Sequence, residues 1–99
     1  MPTFMMLFED DLSFEVAEPL RAEHHAYLLA VSEKVILGGS LSDGGPSPTG
    51  RLVVADFPSL EAAQAFAAAE PLVLAGRVGR WTVSAIAIVQ KDGAYSPIG

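Results

Sequence analysis

The side chain best suited to acid–base chemistry is His24, in the run Arg21-Ala-Glu-His24-His25. An imidazole gains or loses a proton near neutrality at little cost. If residues 18–35 are helical, an advance of ~100° per residue puts Leu20, Tyr27, Leu28, Val31 and Val35 on one side, with His24 in the middle of that stripe. The ring is then aimed at the interior. Partial burial beside a carboxylate would make it a general acid or base. His25 points away, toward the flank shared by Arg21 and Ser32. A lone histidine on a buried helix face is commonly a core residue with one satisfied hydrogen bond, so its partners must decide.

Glu70-Pro71 offers one partner. Proline disfavours helical geometry at the residue before it. A carboxylate at such a break has a fixed direction, and near His24 it would orient the ring, select its tautomer and raise its basicity. The plainer reading is an exposed helix-terminal glutamate. Arg21 lies one turn before His24, ~60° away on the wheel, and could hold an anionic substrate or simply pair with a surface acid. The segment Gly38-Gly39-Ser40-Leu41-Ser42-Asp43-Gly44-Gly45-Pro46 allows close backbone approach, and Ser40, Ser42 and Asp43 could line a pocket. It is neither a dinucleotide fingerprint nor a phosphate loop. Asp43 is the alternative acid for His24. Ser40, Ser47 or Ser84 would be a nucleophile only without the Gly-x-Ser-x-Gly elbow, which argues against serine hydrolase chemistry.

These residues need elements to carry them. Thr3 to Phe8 reads as a strand, with Phe4, Met6 and Phe8 on one face and Met5 and Leu7 on the other. Glu9 to Pro19 is an acidic connection. Pro19 suits a first helical turn, and the helix runs to about Lys34. Val35 to Leu41 is a second strand, Ser42 to Gly50 a loop, and Arg51 to Phe57 a third strand. Ser59 caps a second, alanine-rich helix with Leu60, Ala63, Phe66 and Ala67 as its stripe, ending at Glu70. Leu72 to Arg77 is a further turn. Trp81 to Val89 is the last and longest strand, and residues 90–99 form a polar tail. The order βαββαβ is the ferredoxin-like α+β arrangement, one antiparallel sheet with both helices on one face. Met5, Leu7 and residues among Val83 to Val89 would then leave an apolar face open. A second copy is its simplest cover, giving a two-fold homodimer.

The chain has 99 residues, half of them apolar, so the expectation is a single domain over 1–99. A net charge of −6 argues against nucleic acid and anionic membranes. The absence of cysteine excludes disulfides, thiol catalysis and thiolate metal sites. Adjacent histidines do not make a metal pair, which favours i, i+4 spacing, so no metal site is expected. The apolar run Phe4 to Phe8 is too short for a signal peptide or a membrane span, and a cytoplasmic location follows as the default.

The chain resembles the YCII-related proteins, small bacterial dimers of ferredoxin-like fold. The matching residues are Arg21-Ala-Glu-His24-His25-Ala-Tyr27-Leu28, Gly38-Gly39-Ser40-Leu41, Gly50, Ser59-Leu60-Glu61-Ala62-Ala63 and Glu70-Pro71-Leu72-Val73-Leu74-Ala75-Gly76. The resemblance implies a homodimer of the dimeric α+β barrel type with a pocket per subunit. It also implies a catalytic pair of the histidine at His24 and a nearby acid. A few members look like lyases or isomerases acting on small chlorinated or lactone-type rings. The family often carries Asp-Pro where this chain has Glu70-Pro71. Taken with the residues, the expected function is a small cofactorless enzyme. His24 is its general base and Glu70 the orienting acid. Arg21, Ser40 and Asp43 hold a small organic substrate during elimination or isomerisation. The competing expectations are a non-catalytic dimeric binding or accessory protein and, more remotely, a heme-binding monooxygenase-like protein.

Overall fold

Strand β1 (Thr3–Asp10) shows the alternation read from its sequence: Phe4, Met6 and Phe8 are buried, and Met5 and Leu7 half-buried. The computed structural model describes residues 1–11, 13 and 15–97. β1 is central in a four-stranded antiparallel sheet with β2 (Val35–Leu41), β3 (Gly50–Asp56) and β4 (Val78–Ala85), in the order β2-β3-β1-β4. Helices α1 (Leu20–Leu29), α2 (Leu60–Ala68) and the short α3 (Pro71–Leu74) complete the ferredoxin-like α+β fold.

α2 lies close on the sheet because its contact residues are small. Ala63 and Ala67 are fully buried against Phe4, Met6, Phe8, Val53, Ala55 and Phe57. Ser59 caps this helix as its sequence implies, its hydroxyl accepting the Ala62 N–H at 3.0 Å. α1 is fastened to α2 by the Tyr27 hydroxyl, which donates to the Phe66 carbonyl at 2.8 Å, and by stacking of the two rings. At Gly50 the strands approach so closely that an added Cβ would collide with the Phe8 carbonyl oxygen. A side chain is sterically excluded there.

Several boundaries differ from those expected. α1 stops at Leu29, and a 3-10 turn (Ser32–Lys34) replaces its last turn, because Val31 leaves the helical region at φ −113°. β4 occupies residues 78–85 rather than 81–89. Its ladder with β1 ends at the pair Phe4 and Ala85, one last bond runs from the Ile86 N–H to the Thr3 carbonyl, and the apolar run Ile86 to Val89 leaves the sheet. The tail read as irregular contains a small hairpin, β5 (Gln90–Lys91) with β6 (Ala94–Tyr95); its last two residues, Ile98 and Gly99, lie outside the described residues, as do Leu12 and Phe14 of the connection after β1. The register places Met5, Leu7, Leu37, Leu52 and Val54 on the sheet face away from the helices, where β4 contributes Thr82 and Ser84. The apolar part of that open face is thus on β1, β2 and β3 rather than on β4. Among the described residues no helix is long and apolar enough to cross a membrane.

Candidate active site

The site forms where β1 ends and β3 begins, between α1 and α3. Its keystone is the Glu70-Pro71 step. Glu70 is extended (φ −61°, ψ 133°) and is the N-cap of α3, with Pro71 as the first helical residue. One carboxylate oxygen, Oε2, accepts the Leu72 and Val73 N–H groups at 3.0 and 3.2 Å. The other, Oε1, accepts from Nδ1 of His24. Glu70 is completely buried and His24 nearly so, at 0% and 8% exposure. His24 is the one buried residue of α1. The carboxylate is therefore clamped by backbone on one oxygen and offers the other to the ring.

A buried anion needs positive charge or donors around it. Arg51 supplies the charge. It pairs across the ladder with Phe8, so its side chain is on the helix face, stacked over the Phe8 ring at 4.6 Å. Its Nη1 lies 3.5 Å from Glu70 Oε1, and its Nη2 lies 3.4 Å from Asp10 Oδ1. Burial pushes the Glu70 carboxyl up. The His24 hydrogen bond, the charges of Arg51 and His24, and the Val73 N–H outweigh it and hold the group below the usual carboxylate range. Glu70 is thus an anion at neutral pH. An anionic Oε1 can only accept, so the proton shared with it belongs to His24 Nδ1.

His24 opens on a cleft of about 640 Å³ that also meets Arg21, His25, Ser40, Asp10 and Arg77, a size suited to a small organic molecule. Arg21 is at its rim, its Nη2 donating to the Val16 carbonyl at 3.1 Å and its Nε 3.8 Å from Glu18. Ser40 pairs with Arg51 across the β2–β3 ladder, which puts it on the helix face beside the site. Asp43 is spent on its own loop, where Oδ1 accepts the Gly45 N–H at 2.9 Å, and it is not among the residues lining the cleft. Ser84 pairs with Met5 and so faces the opposite side of the sheet from His24. His25, whose ring lies 5.4 Å from that of His24, borders this cleft and a second, apolar one along α1. Among the described residues no three histidines or acids converge as a metal site would need.

A family model for the YCII-related domain matches residues 1–87. The chain belongs to the YCII-related family. No curated protein matches it. Among solved structures, this YCII-related chain is similar to the 5-chloro-2-hydroxyhydroquinone dehydrochlorinase of Burkholderia phenoliruptrix, determined in complex with 2,5-dihydroxybenzoquinone. The two share 22% identity over 83% of this chain and 90% of the other, with a TM-score of 0.67. The likeness agrees with the ferredoxin-like fold of the family.

Sequence reasoning passed over Arg51, Asp10 and Arg77. Arg51 opens a strand and reads as a surface cation until the register puts it on the same face as Phe8. Asp10 belongs to what reads as an acidic connection, yet it is the last residue of β1, just past a register shift. Arg77 follows a glycine at positive φ, which turns it back toward the cleft.

Proposed function

We propose that this protein is a small acid–base enzyme that eliminates or isomerises a small organic substrate, with His24 as the general base and Glu70 as the group that orients it. The observation that carries this reading is the hydrogen bond from His24 Nδ1 to a fully buried, backbone-clamped carboxylate, beside a cleft of substrate size. Nε2 takes a proton from an O–H or C–H of the substrate. The electron pair left behind expels an anionic leaving group from the same molecule, so an elimination needs no further reagent. The imidazolium formed faces Glu70 rather than hydrocarbon, which lowers the cost of the charge. Arg21 and Ser40, which line the same cleft, are the candidates for holding the substrate's oxygen atoms, while Asp43 would need its loop to move to reach them. The dehydrochlorinase of similar fold performs an elimination of this kind, the loss of chloride and a proton.

The protein also acts, in this reading, as a homodimer. Leu37, Leu52, Met5 and Leu7, around the already buried Val54, form an apolar face that a second copy would bury.

The test is chloride release from chlorinated hydroxyhydroquinones, 5-chloro-2-hydroxyhydroquinone first. The wild type should release chloride, and His24→Gln should slow release by about 10²-fold or more, the usual worth of a positioned base. Equal rates in the two proteins, or no release from any member of the series, would overturn the elimination reading.

A further inference from the structure

The segment from Glu70 to Arg77 is one structural unit with a functional group at each end. Glu70 caps the start of α3. The end of α3 closes by two backbone bonds, Gly76 N–H to the Val73 carbonyl at 3.1 Å and Arg77 N–H to the Leu72 carbonyl at 2.9 Å. With Gly76 at φ +81°, this is a Schellman turn. The turn sends Arg77 into the cleft that His24 lines. Arg77 is held there from the other side as well: its carbonyl accepts the Asp11 N–H at 2.6 Å, and its Nη1 donates to the Asp11 carbonyl. After these contacts its Nε is buried with no acceptor among the described residues. Arg51 Nε, beside Glu70, is in the same state, and neither atom is open to solvent.

We propose that Arg77 is the anion-binding residue of this site and that the ligand is a small organic anion, a carboxylate foremost. This rests on the proposed function for the role of the cleft and adds the class of substrate. With Nη1 engaged and Nε closed off from solvent, Nη2 is the nitrogen left to meet an anion's oxygen. The other charges around the cleft are already committed, and the Asp11 carboxylate, held below the usual range by its two Ser13 hydrogen bonds and also by the Arg77 charge, accepts from the Ser13 hydroxyl and N–H. Asp10 is paired with Arg51, and Arg21 lies at the rim against Glu18 and the Val16 carbonyl. Glu15 also borders the cleft and would repel an anion placed near it. One short segment thus sets the distance between the group that orients the base and the group that seats the substrate.

Benzoate and its neutral isostere benzamide are the probes, titrated into the full-length protein by calorimetry with the His24 ring followed by NMR. Benzoate should bind and shift the His24 resonances, and benzamide should bind at least about tenfold more weakly. Arg77→Gln should weaken benzoate by about tenfold to a hundredfold, the loss of a charge-assisted contact, and should leave benzamide unchanged. Arg77→Lys should recover part of the loss, and Arg21→Gln should cost less than Arg77→Gln. Equal binding of benzoate and benzamide to the wild type, or no binding of either, would overturn the proposal, and neither observation requires a variant to fold. The dyad is read separately: the Nδ1 proton signal of His24 should persist in Arg77→Gln. Its absence in the wild type would count against the His24–Glu70 reading and not against Arg77.

Discussion

Glu70→Gln is the sharpest perturbation the site allows, because it keeps the shape and removes the charge. The glutamine carbonyl can keep the two α3 cap bonds that Oε2 now accepts, at 3.0 and 3.2 Å. Its NH2 group then stands where Oε1 met His24 Nδ1 and, 3.5 Å away, Arg51 Nη1. Two consequences follow. The His24 bond changes from charge-assisted to neutral, a loss of about 1–1.5 kcal/mol, and a guanidinium nitrogen that faced an anion now faces a donor, a further ~1–3 kcal/mol. Asp10 still pairs with Arg51, so the lower half of that range applies and the total is about 2–3.5 kcal/mol at pH 7. The second consequence is chemical: an NH2 facing Nδ1 draws the lone pair to that nitrogen and moves the proton to Nε2, the nitrogen that should accept from substrate. Urea denaturation at several pH values and two-bond ¹H–¹⁵N correlation of the ring read the two effects. Because the carboxyl is held below its ordinary value in the fold, its contribution is complete above the unfolded value, ~4.3, and fades as pH falls through the folded one. The stability gap between wild type and variant should therefore narrow as pH falls below about 4.3 toward the lower folded value. A gap that does not change with pH, or a ring tautomer the same in both proteins, would refute the clamped-carboxylate account.

Two further outcomes test the frame around the site. Gly50→Ala must push the Phe8 carbonyl away and should cost about 1–3 kcal/mol in urea denaturation, whereas a neutral result would mean that β1 and β3 are not so closely apposed. Leu37→Asp, on an exposed position of the open sheet face, should leave monomer stability nearly unchanged but convert a sedimenting dimer to single chains; a wild type already sedimenting as one chain would refute the dimer.

Much of the site's core is readable from residue order alone, for identifiable reasons. His24 is marked by the helical period of its neighbours, and Glu70 by the proline that follows it. Both signals are local, and both residues meet in the structure. Arg51 and Asp10 carry no such mark. Their inward direction depends on which residue of β1 faces which residue of β3, a long-range fact that alternation within one strand cannot supply. The same limit explains β4. The apolar run Ile86 to Val89 looks like strand by composition, but the ladder with β1 has already ended at Ala85. The early end of α1 has a different origin, a β-branched residue at 31 where the chain must turn into β2.

The acid that orients His24 also nucleates the first turn of α3. Fraying of that turn releases Leu72 and Val73 from Oε2 and lets the carboxylate swing off the ring; in the proposed mechanism this disarms the base by a local opening that leaves the sheet intact. Under the same proposal, solvent exchange of those two amides gauges how much of the time the His24–Glu70 pair is assembled, and any selection for activity here would also be selection for the rigidity of a four-residue helix.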